Sequence, residues 1–123
     1  MNKKDTGKRY EEKAAAFLVR NGFQLLEKNF RCRQGEVDLV GVHDNCLVFV
    51  EVKYRKDSMS GAPEEAVDPA KQRKICLVSD YYRIRHPSES ARQIRYDVVA
   101  ICEDSVKWYK NAFPYCARGR SSW

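Results

Sequence analysis

Asp38, Glu51 and Lys53 have the types and spacing to do chemistry together, in an Asp-x12-Glu-x-Lys arrangement. They lie in the stretch Gly35 to Arg55, which reads as two strands, 36–43 and 46–55, joined at Asp44-Asn45. Apolar residues alternate or run together on both sides of that turn, which favours strand over helix. Asx residues suit a tight hairpin because they tolerate positive φ. Pairing outward from the turn sets Leu39 against Val50, Asp38 against Glu51 and Glu36 against Lys53. Side chains alternate with period two, so Glu36 and Asp38 share a face, as do Glu51 and Lys53. Directly opposed carboxylates repel by about 0.2–1 kcal/mol on an open surface, and by more when half buried. A divalent cation between them reverses the sign, and hard cations such as Mg²⁺ take one or two carboxylates plus waters. The competing reading is an exposed strand face carrying assorted charges.

Several elements must position these groups. Residues 6–21 read as an amphipathic helix with Thr6 as N-cap, Tyr10, Ala14, Phe17 and Leu18 facing the core, and Asn21-Gly22 as the stop. Glu11 lies at the edge of that apolar face, where placement near a helix N-terminus accounts for it on its own. Glu12 is read as solvated. Residues 23–33 form a first strand. Arg31 and Arg33 share a face there, near the Gln34-Gly35 turn. Contact with phosphate and plain solvation both explain these arginines. Strand 46–55 buries Val48, Val50 and Val52 on one side, and Leu47 and Phe49 on the other, away from the site; it is therefore central. Tyr54-Arg55-Lys56 ends it with positive charge.

Residues 57–62 form a polar loop, either a plain connection or a cover over substrate. A helix then begins between Pro63 and Pro69 and ends near His86-Pro87. Its buried stripe is Ile75, Cys76, Val78 and Tyr82, and Lys71, Arg73 and Lys74 occupy its first turns. After a turn at 87–90 come a strand at 93–102 and a short last strand at 106–109. Asp97 reads as structural, or as orienting a basic residue, rather than as a metal ligand. Residues 114–123 read as a weakly ordered tail.

At 123 residues the chain is long enough for one domain with a real core, spanning 1–123, but not for two. A formal net charge of +6 favours an anionic partner. Nucleic acid leads, ahead of an acidic membrane surface or mere solubility. The five cysteines are odd in number and lack any Cys-x-x-Cys, and only two histidines occur. That excludes a zinc-finger pattern and argues for free thiols in a reducing compartment, so a cytoplasmic protein is expected. No apolar run approaches transmembrane length and the N-terminal residues carry no apolar signal core, so no membrane partner is expected.

The same residues carry a family resemblance. Asp38 followed by Glu51-Val52-Lys53 is similar to the P-D…(D/E)-x-K signature of restriction-endonuclease-like nucleases, with Val37 where that signature has proline. The longer series resembles the bacterial YraN-like family: Gly7…Glu11…Ala14, Asn29-Phe30-Arg31, Gly35-Glu36-Val37-Asp38-Leu39, Phe49 to Arg55, Lys71 and Tyr96-Asp97-Val98-Val99. This match runs from Gly7 to Phe113. The resemblance implies a restriction-endonuclease-like fold: an α/β domain whose mixed central sheet of about five strands is flanked by helices. The element order agrees, since a helix between the third and fourth strands permits a parallel crossover.

It also implies a metal-dependent endonuclease that hydrolyses phosphodiester bonds, with Mg²⁺ as cofactor and Mn²⁺ as substitute. Asp38 and Glu51 would hold the metal, with the Val52 carbonyl as third ligand. Glu11 would reach the centre, through water in preference to direct ligation. An ordinary lysine is protonated at neutral pH, so electrostatic stabilisation is the role expected of Lys53. Glu36, facing Lys53, would orient it. Arg31, Arg33, Arg55, Lys56 and Lys71 are the candidate nucleic-acid contacts, and DNA, branched or structured, is the expected partner. Two other classes stay open: a non-catalytic nucleic-acid-binding module on the same fold, and an interaction protein with a basic face. A homodimer is compatible with each.

Overall fold

The computed structural model describes residues 3–55, 67–89 and 91–116. Lys56, the loop at 57–62, the stretch from Pro63 to Ala66 and the tail residues 117–123 lie outside the described residues. The elements run α1 (Lys3–Arg20), β1 (Gln24–Cys32), β2 (Gly35–His43), β3 (Cys46–Arg55), α2 (Pro69–Arg85), a single 3₁₀ turn (Pro87–Glu89), β4 (Gln93–Cys102) and β5 (Ser105–Phe113).

Helix α1 begins at Lys3, so Thr6 lies inside it and is not its cap. No glycine or proline in residues 3–6 opposes the extra turn. Its C-terminus follows the sequence. Gly22 takes φ +95°, the Phe23 N–H donates to the Leu18 carbonyl (3.0 Å), and the Gly22 N–H to the Val19 carbonyl (3.3 Å). This pattern needs a residue in the left-handed region, which glycine adopts without strain. Helix α2 starts at Pro69 because Asp68 caps it, its carboxylate accepting the Lys71 N–H at 2.8 Å.

The five strands lie in the order β1-β2-β3-β4-β5. Only β3 and β4 run parallel, joined through α2; the other neighbours are antiparallel. The hairpin turn is the expected one, with Asp44 at φ +50° and Asn45 at φ +62°. The helices cover opposite faces of the sheet. Ala14, Ala15 and Leu18 of α1 pack on Phe23, Leu39, Val48, Val50, Val99 and Ile101. Ile75, Cys76, Val78 and Tyr82 of α2 pack on Phe30, Val37, Val40, Leu47, Phe49, Tyr96, Val98 and Phe113. Leu47, Val48, Phe49 and Val50 are all buried, as a central strand requires.

One expectation about β3 changes. Leu47 and Phe49 lie under α2, and Glu51 continues their alternation, so this face leads to the site rather than away from it. Strand β5 is also longer than expected, reaching Phe113. Asn111 adopts φ +56° and its N–H donates to the Asp97 carboxylate (2.9 Å), which bulges the strand. Phe113 then pairs with Tyr96 and stacks on its ring at 5.3 Å. The polar Lys110-Asn111 step hides that continuation in the sequence. Residues 115 and 116 are held on α2: the Tyr115 hydroxyl donates to Asp80 (2.7 Å), and the Cys116 N–H to the Cys76 sulfur (3.3 Å).

Gly41 shows how closely the layers meet. A Cβ there would run into the Phe23 ring and the Gln24 carbonyl. Gly41→Ala is therefore expected to destabilise the fold by about 1–3 kcal/mol, because backbone and a buried ring must both move. Urea unfolding should show a lower midpoint with an unchanged slope.

Candidate active site

The β2–β3 ladder runs from His43↔Cys46 to Leu39↔Val50 and carries no paired residue beyond it. The predicted register holds that far. At the next position, one oxygen of Asp38 (Oδ2) accepts the Val52 N–H at 2.7 Å, so a side chain takes the place of a strand carbonyl. The alternation of β2 breaks at the same residue: Val37 packs under α2, whereas Leu39 packs under α1. On the other side Asn29 takes φ +53°, between the pairs Lys28↔Leu39 and Phe30↔Val37. Asn tolerates this conformation better than most residues. Matched irregularities at Asn29 and Asp38 thus open the sheet beside β3 and let Asp38 serve both of its faces.

From α1, Glu11 comes next to both Asp38 and the Asn29 side chain. From β3, Glu51 is 6% exposed and brings a second carboxylate next to Asp38. Two lysines meet Glu51 Oε2: Lys71 Nζ from the first turn of α2 at 3.5 Å, and Lys53 Nζ at 3.9 Å. The structure therefore brings Asp38, Glu51, Lys53 and Glu11 together, with Lys71 beside Glu51.

Glu36 is not where the symmetric hairpin put it. It pairs with Arg31 across β1–β2, and Arg31 Nε lies 3.3 Å from its Oε2. The opening at Asp38 removes Glu36 from the β3 ladder, so it does not orient Lys53. Arg31 is consequently tied to a carboxylate. Arg33 is exposed at the β1–β2 turn, whose Gly35 lies against Lys74 and Val78 of α2. Arg55 is half-buried at the end of β3.

The carboxylates compress one another. Burial, then the neighbouring Glu51 charge, push Asp38 up to about 7. Burial also raises Glu51, against the pull of Lys71 and Lys53. Glu11 is raised by burial and by the Asp38 charge, while the Asn29 hydrogen bond pulls it back. Three acidic groups facing two lysines form a site short of positive charge.

Asp97 lies outside this centre. It is fully buried and accepts from Arg95 Nε (2.9 Å) and Nη2 (2.8 Å), from Trp108 Nε1 (2.8 Å) and from the Asn111 N–H. Arg95 Nη2 lies 3.0 Å from His43 Nδ1. The network ties β2, β4 and β5 together at the hairpin end, so Asp97 orients a basic residue, one of the two roles expected of it.

The sequence model of the Uncharacterised protein family UPF0102 matches residues 10–101, a span that contains all of the centre: Glu11, Asn29, Asp38, Glu51, Lys53 and Lys71. The chain belongs to this family. UPF0102 is the YraN family to which the ordered motif blocks pointed. A UPF0102 protein of Lachnoclostridium phytofermentans is 42% identical over 113 residues, covering 92% of this chain and 96% of its own. One from Alcanivorax borkumensis is 38% identical, covering 91% and 94%. One from Cytophaga hutchinsonii is 46% identical, covering 78% and 83%. Among the described residues of this UPF0102 chain, no helix is long and apolar enough to cross a membrane.

Asn29 is the site residue that sequence reasoning missed. The sequence carries its signal, an Asn inside an otherwise regular strand directly before Phe30-Arg31.

Proposed function

We propose that this protein is a metal-dependent nuclease hydrolysing phosphodiester bonds in nucleic acid, with DNA, branched or structured, as the substrate class. The observation that carries the reading is the pairing of the half-buried Asp38 with the buried Glu51 where β2 parts from β3, with Lys53 and Lys71 on Glu51. The likeness of Asp38…Glu51-Val52-Lys53 to the restriction-endonuclease-like signature supports it. Among the described residues no three His, Cys, Asp and Glu side chains form a ready metal cluster. A hydrated Mg²⁺ needs only one or two carboxylates, and an all-oxygen donor pair short of positive charge fits it. Asp38 and Glu51 would hold the ion, with the Val52 carbonyl as third ligand, and Mn²⁺ would substitute. The ion would supply an acidified water and a polarised phosphoryl group.

The chain's own residues do the rest. Lys53 stabilises charge that develops on the phosphate, and Lys71 neutralises Glu51 and faces the incoming phosphate. Glu11 acts through water from beside Asp38, with Asn29 next to it. Arg31, Arg33 and Arg55 meet the backbone of the nucleic acid, and Lys56, outside the described residues, is a further candidate contact. Such a protein works in the cytoplasm, and a homodimer is compatible with it.

Labelled linear, flapped, branched and RNA substrates, incubated with Mg²⁺, Mn²⁺ or EDTA, test the reading. Cleavage should appear with either metal and vanish with EDTA. Binding without cleavage under every condition would leave a non-catalytic module, and no binding at all would leave an interaction protein.

The outer basic residues give a separate expectation. Replacing both Arg33 and Arg55 by Ala should weaken binding and flatten its log–log salt slope by about one unit per lost phosphate contact. Fluorescence anisotropy across a salt series measures this, and an unchanged slope would mark these arginines as ordinary solvated charges.

A further inference from the structure

Cys76 and Cys116 stand apart from the centre just described. Their sulfur atoms are 3.8 Å apart. Cys76 is fully buried in the second turn of α2, and Cys116 is half-buried at the end of the described chain. The approach is built on both sides. The Cys116 N–H donates to the Cys76 sulfur, and the preceding Tyr115 hydroxyl fastens the segment to Asp80, one turn further along the same helix. Two unrelated small hydrophobes in a core need no such backbone bond.

We propose that Cys76 and Cys116 are a site of reversible covalent modification: a thiol pair that a hydroperoxide closes into a disulfide, fixing the C-terminal segment to α2. A disulfide needs its sulfurs about 2.05 Å apart. The remaining gap is under two ångströms, within reach of rotation about the Cα–Cβ bonds and small shifts of a segment that has just left β5.

The chemistry has an order. Cys116 is the accessible thiol and reacts first. Its sulfur attacks one peroxide oxygen, the O–O bond breaks, and a sulfenic acid and one water (or alcohol) form. The Cys76 sulfur then attacks the Cys116 sulfur; the S–S bond forms, the S–O bond breaks, and the hydroxyl leaves as a second water. In sum two thiols lose two protons and two electrons to one peroxide. Burial pushes the Cys76 thiol up to about 11, so the second step is slow at neutral pH and faster in mild alkali. A dithiol reverses the bond by exchange.

The test uses the whole chain, reduced and then titrated with hydrogen peroxide at pH 7 and pH 8.5. Intact mass should fall by two hydrogen atoms, and peptide mapping after alkylation should place the bridge between Cys76 and Cys116. A variant with Cys32→Ser, Cys46→Ser and Cys102→Ser should still form it. Cys116→Ser, at a half-buried position that spares the core, should abolish it. The oxidised parent should melt several degrees higher, and dithiothreitol should restore the original value. Peroxide that yields a stable sulfinic acid on Cys116, a bridge to Cys32, Cys46 or Cys102, or only disulfide-linked dimers would overturn the proposal.

Discussion

Asp38→Asn is expected to make the metal-free protein more stable at pH 8 and, on the nuclease reading proposed above, to remove both the response to divalent ions and cleavage. The folded Asp38 carboxyl holds its proton up to about 7 because burial and Glu51 disfavour its charge. The unfolded carboxyl releases its proton in the ordinary range, near 3.9. Between those values the folded state binds more protons than the unfolded one, so stability falls as pH rises through the window. The shift corresponds to roughly 2–4 kcal/mol lost by pH 8, an upper range because Glu51 titrates with it. Asparagine keeps an oxygen for the Val52 N–H and carries no charge, so the variant should lack this loss.

Urea unfolding in EDTA at pH 5 and pH 8 measures the effect. Parent stability should drop between the two, and the variant should drop far less. Added Mn²⁺ should raise the parent's melting temperature at pH 8 and leave the variant unmoved, since an ion that binds only the folded state stabilises it. A parent equally stable at both pH values, with Asn making no difference, would mean that the two carboxylates do not compress each other.

The hairpin was legible because every signal for it is local. Asp44-Asn45 fixes the turn and alternation fixes the register, and the structure keeps both as far as Leu39↔Val50. What lies past that pair was not legible by the same rule. Period-two reasoning assumes a regular ladder, and the ladder ends where Asp38 bonds the Val52 N–H. That assumption sets Glu36 against Lys53, whereas Glu36 pairs with Arg31. The matching irregularity at Asn29 lies in a different strand, outside any window around Asp38.

The helices divide in the same way. The stop at Asn21-Gly22 is a local signal and is found, and Pro69 lies in the first turn of α2 as expected. Residues 3–6 lack any breaker, so α1 continues past its apparent cap. That Lys71 reaches Glu51 is a tertiary fact: α2 covers the face on which Leu47, Phe49 and Glu51 alternate. The sequence marked Lys71 only through the family resemblance.

Lys53 and Lys71 both approach Glu51 Oε2, so the contact itself does not separate their roles; the kinetics of their alanine variants should. Lys53 lies two residues after Glu51 on the same strand, and on the nuclease reading proposed above it would act on the reacting phosphate. Lys53→Ala should therefore leave Mn²⁺ binding intact or slightly tighter, since a nearby cation is gone, while turnover falls by roughly 10²–10³, equivalent to about 3–4 kcal/mol of transition-state stabilisation. Lys71 comes from α2 and lies closer to Glu51, which is nearly sealed from solvent. Lys71→Ala leaves a buried carboxylate with one fewer cation, so Glu51 should hold its proton to higher pH. Metal binding should then weaken below neutral pH and recover above it, and substrate affinity should drop. Calorimetric Mn²⁺ titrations at pH 6 and pH 8, beside single-turnover cleavage of the best substrate, separate the two patterns. If both variants bind metal and cut like the parent, the lysines only balance the charge of Glu51 and the catalytic reading fails with them. If Lys53→Ala loses metal and Lys71→Ala loses only rate, the two roles are exchanged, and α2 rather than β3 supplies the group that meets the phosphate.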